Sequence, residues 1–124
     1  MVICGCGDSV ANIYEVSSGV LLRVLTGHLD IVSSVCFSPC GTFALTGSYD
    51  KITRTFDVFS GKLLQCFEGH TSPVTSVAYN KKGDTIVTGR WHCTVKIYNS
   101  ISIEIAVENK KENHKAIVLF FLII

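Results

Sequence analysis

The chain has 124 residues, a formal net charge of +1, 17% charged residues and 48% hydrophobic residues. This length suits one domain with its own hydrophobic core. The Lys and Arg residues are scattered along the chain, which argues against nucleic acid as the main partner, because phosphate binding needs a concentrated cationic face.

The predicted elements are short β-strands. Residues 1–25 have the pattern of three strands. Residues 26–67 have the pattern of four, because runs rich in β-branched residues alternate with turns that contain Pro, Gly and Asp. These four predicted strands are residues 31–37, 42–48, 52–59 and 62–67. Residues 68–109 repeat this pattern, which degenerates after about residue 100, and residues 110–124 form a divergent tail in which we expect one apolar strand.

The strands belong to an internal repeat. Gly27-His28 recurs as Gly69-His70, 42 residues later. The same offset needs no gap when it aligns further pairs, namely Thr46-Gly47 with Thr88-Gly89, Arg54 with Lys96, and Phe56-Asp57 with Tyr98-Asn99. A period between about 20 and 50 residues indicates a repeat architecture. Four strands per period with a Gly-His opening are typical of one propeller blade.

These repeated motifs resemble those of the WD-repeat (β-transducin-like) family over roughly residues 1–100. The resemblance implies an all-β fold, with propeller blades of four antiparallel strands and about two and a half to three blades, hence a partial propeller. It divides the chain into the end of a repeat that lacks its first strand (1–25), a complete repeat (26–67), a repeat that is degenerate after about residue 100 (68–109) and the tail (110–124).

The resemblance also implies a structural hydrogen-bond network. In this family a His, a Ser or Thr, an Asp and a Trp hydrogen-bond across each blade. Here His28, Thr46 and Asp50 take the first three positions, and Phe56 stands in place of the Trp. Because Phe has no N–H, we expect the Thr46 end of the network to be lost.

The second copy departs further from the family pattern. His70, Thr88 and Tyr98 take the corresponding positions, but His92 stands where the first copy has Asp50. Two histidines cannot reproduce an Asp–His pair at neutral pH. We therefore predict that the second copy is held together less firmly than the first.

Partner contacts are predicted at the loops of one propeller end, where loops carry the function of such scaffolds. The resemblance selects the residue before the tight-turn Asp and the residue after the first Val of each copy. These positions are Tyr49, Trp91, Ser33 and Thr75, and Arg90 lies beside Trp91. Tyr, Trp and Arg are frequent anchors of protein interfaces, so we expect a protein or peptide as partner. The alternative for Trp91 is that it covers the edge of its own blade.

The cysteines and the apolar tail exclude several other classes. No signal peptide is recognisable, so we expect reduced cysteines in a cytoplasmic protein, with nuclear or cytoskeletal association also compatible. The cysteine spacings are weak as zinc sites, so we expect no metal and no cofactor. The apolar run 116–124 is shorter than the ~20 residues that a transmembrane helix needs, so we expect no membrane span.

We therefore expect a non-catalytic scaffold or adaptor that binds a protein or peptide. One alternative is an RNA-associated WD-repeat protein, which would show a clustered basic loop face. An enzyme would need an open pocket that holds His28 or His70 near an exposed Ser.

Three blades are fewer than the 4–8 that close a propeller. We expect the chain to be part of a longer protein, as a truncated isoform or a fragment without independent function. A homodimer of six blades is the alternative.

Overall fold

The computed structural model describes residues 1–90, 94–100 and 105–110. Within these ranges every regular element is a β-strand, and the strands form three antiparallel sheets. The first sheet contains β1 (Val2–Gly5), β2 (Ala11–Tyr14) and β3 (Leu21–Leu25). The second contains β4 (Val32–Phe37), β5 (Phe43–Ser48), β6 (Thr53–Asp57) and β7 (Leu63–Phe67). The third contains β8 (Val74–Tyr79), β9 (Thr85–Arg90), β10 (Thr94–Asn99) and β11 (Ile105–Lys110).

The strands of each sheet pair in chain order, so that each sheet is a meander. In the second sheet they begin and end within one or two residues of the predicted bounds. The largest difference is at β6, which ends at Asp57 instead of Phe59. There the Asp57 carboxylate accepts hydrogen bonds from the backbone amides of Phe59 and Ser60 at 2.7 and 3.3 Å, which turns the chain out of the sheet.

The third sheet has its fourth strand although the sequence pattern decays in this region. β11 pairs antiparallel with β10, from Thr94 opposite Lys110 to Tyr98 opposite Ile105, with one irregularity in register. Strand pairing depends on the backbone, so the sheet extends through a segment that has lost the side-chain motifs of the repeat. The rest of the tail, residues 111–124, lies outside the described part of the chain.

The two larger clusters of the hydrophobic core are the layers between successive sheets. Strand β5 shows why, since neighbouring residues of a strand point to opposite faces. Ala44 packs into a cluster with the first sheet and Leu45 into a cluster with the third sheet, and both are fully buried. The first layer is built from Ala11, Ile13, Leu25, Val32, Ala44, Phe56 and Val58. The second is built from Leu45, Phe67, Val74, Val77, Tyr79, Ile86 and Tyr98. A smaller cluster, of Val87 and Val95, belongs to the third sheet alone.

The first strand of the second sheet lies between its neighbours. β4 contacts β1 on one side and β8 on the other. Hydrogen bonds join the sheets at both contacts: Val32 N–H donates to the Cys6 carbonyl at 3.2 Å, and Val77 N–H donates to Ser34 Oγ at 3.2 Å. The three sheets are therefore successive blades of one packed arrangement.

Gly47 is required where the second blade meets the third. A Cβ at this position would lie 2.7 Å from the Cγ1 atoms of both Val74 and Val77, closer than carbon atoms approach in proteins. We expect Gly47→Ala to lower the free energy of unfolding by about 1–3 kcal/mol, because overpacking forces neighbouring side chains and backbone to move. Urea unfolding followed by circular dichroism measures this change.

Gly7→Ala is the matched control, since a Cβ there meets no atom within 4 Å. It should leave the unfolding midpoint unchanged. Equal midpoints for the two variants would contradict the close packing of β5 against β8.

Candidate functional site

The turn between β5 and β6 fixes the position of the Asp50 carboxylate. Lys51 adopts a φ of 74°, which reverses the chain directly after Asp50. Asp50 N–H donates to Ser48 Oγ, and Asp50 Oδ1 accepts from the Ile52 N–H, both at 3.0 Å. Asp50 Oδ2 then accepts from the Leu29 N–H at 3.1 Å, so the carboxylate ties this turn to the β3–β4 loop.

His28 joins this carboxylate to the inside of the sheet. Its Nδ1 lies 2.9 Å from Asp50 Oδ2, and its Nε2 lies 2.6 Å from Thr46 Oγ1. Because a carboxylate only accepts, the ring donates from Nδ1, and the Thr46 hydroxyl donates to Nε2. The expectation that Phe56 costs the Thr46 end of the network was wrong. Thr46 is held by the His28 ring, and this bond needs no indole N–H.

Arg54 completes the network and was missed by the sequence analysis. Its Nη1 donates to Asp50 Oδ2 at 2.7 Å and lies 2.5 Å from His28 Nδ1, with the residue only 7% exposed. The sequence feature that could have identified Arg54 is a basic residue inside a predicted strand, which recurs as Lys96 in the next copy. A buried cation needs a partner, so such a residue indicates a nearby acceptor.

The carboxylate of Asp50 is ionised over the whole neutral and mildly acidic range. Burial opposes its ionisation, but the hydrogen bonds that it accepts, the largest effect coming from His28, hold its pKa at about 2. The network thus contains a buried Asp–Arg ion pair with a histidine bonded to the same carboxylate oxygen.

Asp50→Asn keeps the shape of the side chain and removes its charge. We expect the free energy of unfolding to fall by about 3 kcal/mol, because removal of one member of a buried ion pair leaves the Arg54 charge uncompensated. Guanidinium chloride unfolding measures the change. Asp30→Asn is the control: this exposed residue bonds the Ile31 N–H through Oδ1, which an amide oxygen also does, so its midpoint should not move. Equal stability of the two variants would contradict the role of the ion pair.

The corresponding network in the third sheet is smaller within the described residues. His70 Nε2 lies 2.7 Å from Thr88 Oγ1, and Lys96 Nζ donates to the Gly69 carbonyl at 2.7 Å. His70 Nδ1 is buried and has no hydrogen-bond partner in the described part of the chain. His92, at the sequence position that matches Asp50, lies outside that part. The weaker anchoring expected for this copy depends on His92 and stays a prediction.

The surroundings of His70 also change its titration. Burial, followed by the charges of Lys96 and Arg90, lowers its pKa from 6.5 to about 4. His70 is therefore neutral in the folded protein at neutral pH.

Acidification should destabilise the fold between about pH 6.5 and 4. In this window the unfolded chain binds a proton at His70 that the folded chain does not, so the free energy of unfolding falls as the pH falls. Burial lowers the pKa of His28 as well, which adds to the same trend. Urea unfolding at stepped pH measures the slope. His70→Gln should flatten it, and an unchanged slope in this variant would contradict the assignment.

Two of the predicted partner contacts are surface side chains at the same end of neighbouring sheets. Tyr49 follows β5, is 38% exposed and donates its N–H to the Ile31 carbonyl at 2.9 Å. Arg90 ends β9 and is half-buried, with Nη1 bonded to Thr71 Oγ1 at 2.6 Å and Ser72 Oγ at 3.1 Å. Both side chains thus lie at the end that carries the β5–β6 turn and the β7–β8 loop.

The two predicted hydroxyl residues lie at this end but are already hydrogen-bonded. Ser33 Oγ bonds the Gly47 carbonyl at 3.2 Å and also the Val74 carbonyl, which links the second sheet to the third. Thr75 Oγ1 donates to the Gly89 carbonyl at 3.4 Å. Ser33 is exposed and Thr75 is half-buried. Ser33 thus helps to join the second sheet to the third, whereas the Thr75 bond stays within the third sheet.

The structure adds two apolar residues to this end that the sequence analysis did not select. Leu29 is 85% exposed and Ile31 is 40% exposed, in the β3–β4 loop. Together with Tyr49 they form what we term the loop-end patch. The sequence feature that could have identified Leu29 is an apolar residue directly after Gly27-His28, where the chain turns. Trp91, the remaining predicted contact, lies outside the described residues.

The histidines are not placed for hydrolytic chemistry. His28 and His70 are each 6% exposed, and their hydroxyl partners are fully buried threonines. A groove of about 550 Å³ between the second and third sheets is lined at the opposite end by Phe43, Tyr79 and Asp84 among others, and by neither histidine.

Two other kinds of site are absent from the described residues. Among the residues that the structure describes, no group of three or more His, Cys, Asp or Glu side chains is arranged to hold a metal ion. The described part also contains no helix with the length and apolar character that crossing a membrane requires.

Packed antiparallel sheets of three to four strands, repeated along the chain, define a protein of the β-propeller class. The family model for the WD domain, G-beta repeat, matches residues 19–57 and 61–99, which together make up more than half of the chain. The chain therefore belongs to the WD-repeat family, as the sequence motifs predicted.

A relative supports this membership. A WD repeat-containing protein of Dictyostelium discoideum is 45% identical over 42 residues, which are 34% of this chain and 7% of that protein. The chain thus matches only a small part of the length of this relative.

Proposed function

We propose that this chain is a non-catalytic interaction module that binds a protein or peptide through the loop-end patch. WD-repeat proteins generally mediate protein–protein interactions, which gives the class of function. The observation that carries the proposal is the exposure of Leu29, Ile31 and Tyr49 on adjoining loops. A large aromatic side chain with apolar neighbours is a frequent anchor of a protein interface.

The charges at this end favour a polypeptide over RNA. The acidic residues Asp8, Asp30 and Glu68 lie in the same set of loops as the basic residues Lys51 and Arg90. Nucleic-acid binding depends on a concentrated positive face, whereas protein interfaces commonly mix both signs around an apolar centre. We propose a cytoplasmic location, in which the cysteines stay reduced.

The burial of the histidines supports a role without catalysis. A general base must reach the proton that it removes, and His28 and His70 are instead bonded to buried threonines. Their function is then to hold the loops that present the loop-end patch. This makes the network a support for binding and not a reaction centre.

The test is to select ligands from a random peptide library on the full chain and to compare variants with them. Tyr49→Ala should weaken the binding of selected peptides by about tenfold or more, because anchors of this type contribute at least 1–2 kcal/mol. Trp91→Ala should also weaken it. Isothermal titration calorimetry measures the affinities, and urea unfolding checks that each variant is folded.

Phe59→Ala is the matched control, because Phe59 is an aromatic residue that is 87% exposed at the opposite end of the second sheet. It should leave the affinity unchanged. Loss of binding in Phe59→Ala with normal binding in Tyr49→Ala would place the interface at the other end and overturn the proposal.

A further inference from the structure

Two serines of the chain directly precede a proline, namely Ser38 and Ser72, and they lie in different surroundings. Ser38 is 5% exposed, and its Oγ accepts from the Phe43 N–H at 3.0 Å. Ser72 is half-buried in the loop between β7 and β8, directly beside the exposed Thr71. Loops between strands lie at the surface and move more readily than the strands that they connect. Of the two serines, Ser72 is therefore the one that another molecule can reach.

The Ser72 hydroxyl lies against a guanidinium group. Arg90 Nη1 donates to Ser72 Oγ at 3.1 Å and to Thr71 Oγ1 at 2.6 Å. Arg90 is the last residue of β9 and lies opposite Val74 in β8, so the sheet fixes its backbone. A guanidinium presents several N–H groups in one plane, and this geometry suits the oxygens of a phosphate group. A phosphate on either hydroxyl would therefore meet a positive charge that is already in place.

The second sheet has an acidic residue at the position that corresponds to Ser72. The repeat offset of 42 residues aligns Ser72 with Asp30. Asp30 is exposed, and its Oδ1 accepts from the N–H of the following residue, Ile31, at 2.7 Å. The residue after Ser72 is Pro73, which has no N–H to donate. An anionic group at position 72 would therefore take its hydrogen bonds from Arg90.

We propose that Ser72 is a phosphorylation site and that the Arg90 guanidinium binds the phosphate, which then fixes the β7–β8 loop to the end of β9. The reaction needs a protein kinase that selects serine before proline, with ATP as the phosphate donor. The Ser72 oxygen forms a bond to the γ-phosphorus, the bond from this phosphorus to the β–γ bridging oxygen breaks, ADP leaves, and the hydroxyl proton passes to a base of the kinase. The phosphate brings a charge of about −1.5 to −2 at pH 7. This inference is independent of the proposed function, because it needs no bound peptide.

The first test is whether the folded chain is modified at Ser72 alone. The full chain is incubated with a proline-directed protein kinase, Mg²⁺ and ATP, and mass spectrometry locates the modified residue. One phosphate should appear on Ser72, and Ser72→Ala should prevent its transfer. Synthetic peptides of residues 34–42 and 68–76 should both be modified, since neither has the fold that buries Ser38. A folded chain that stays unmodified, or that takes phosphate on Ser38 as readily, would overturn the proposal.

The second test measures what the phosphate contacts. In the phosphorylated full chain, ³¹P NMR at stepped pH gives the second pKa of the phosphate, which is about 6 without a counter-charge. The Arg90 guanidinium should lower this pKa by about one unit, because a neighbouring opposite charge favours the more highly charged form. Arg90→Gln should return the pKa to about 6. Arg23→Gln is the control, because Arg23 bonds the Phe59 carbonyl at the opposite end, and it should leave the pKa lowered. Equal pKa values in the wild type and in Arg90→Gln would overturn the role of Arg90.

The third test asks whether the phosphate fixes the loop. Phosphorylation should raise the midpoint of urea unfolding, because the loop gains charge-assisted hydrogen bonds. Phosphorylated and unmodified chains are compared within each variant, so that the variant's own effect on stability cancels. The rise should occur in the wild type and in Arg23→Gln, should be absent in Arg90→Gln, and should shrink at high salt, since the ion pair lies near the surface. A wild-type midpoint that phosphorylation lowers would show that the phosphate disrupts the loop and would overturn the proposal.

Discussion

The structure depends on one constraint, which is that the second sheet is apolar on both faces. In β5 the adjacent residues Ala44 and Leu45 enter different core clusters, one with each neighbouring sheet. A sheet of this kind cannot leave either face in water without exposing apolar area, at about 25 cal/mol per Å². The sheets therefore stack as blades, and Gly47 has no side chain because Val74 and Val77 of the next blade fill that space.

When the blades stack through their faces, the loops at their ends stay outside the core. The loops at one end cannot be held by the core, so a polar network fixes them instead: His28 connects the buried Thr46 to Asp50 in the turn. Arg54 neutralises the carboxylate inside the sheet. The loop-end patch is thus attached to a hydrogen-bonded turn, and this would lower the entropic cost of the partner binding that we propose.

The comparison of the two histidines shows how one substitution alters a repeated motif. Around His28 the carboxylate of Asp50 satisfies the ring, whereas around His70 the described residues offer only the Thr88 hydroxyl and nearby cations. The backbone nevertheless repeats closely, with φ values of 126° at Gly27 and 125° at Gly69. The Gly-His segment thus has the same backbone conformation in both copies.

The repeat and the strand pattern could be predicted from the sequence, because both depend on local spacing that recurs after 42 residues. The pairing of His28 with Asp50 was expected from the resemblance to the WD-repeat family. The place of Arg54 could not, since which charges meet in a buried site depends on how strands and loops come together. The exposure of Leu29 beside Tyr49 is likewise a result of tertiary packing. The side-chain pattern also fails to indicate strand β11, which extends the sheet through backbone pairing with β10. Sequence periodicity determined the blades of this protein, and the contacts between segments distant in the chain decided which of its polar groups are satisfied.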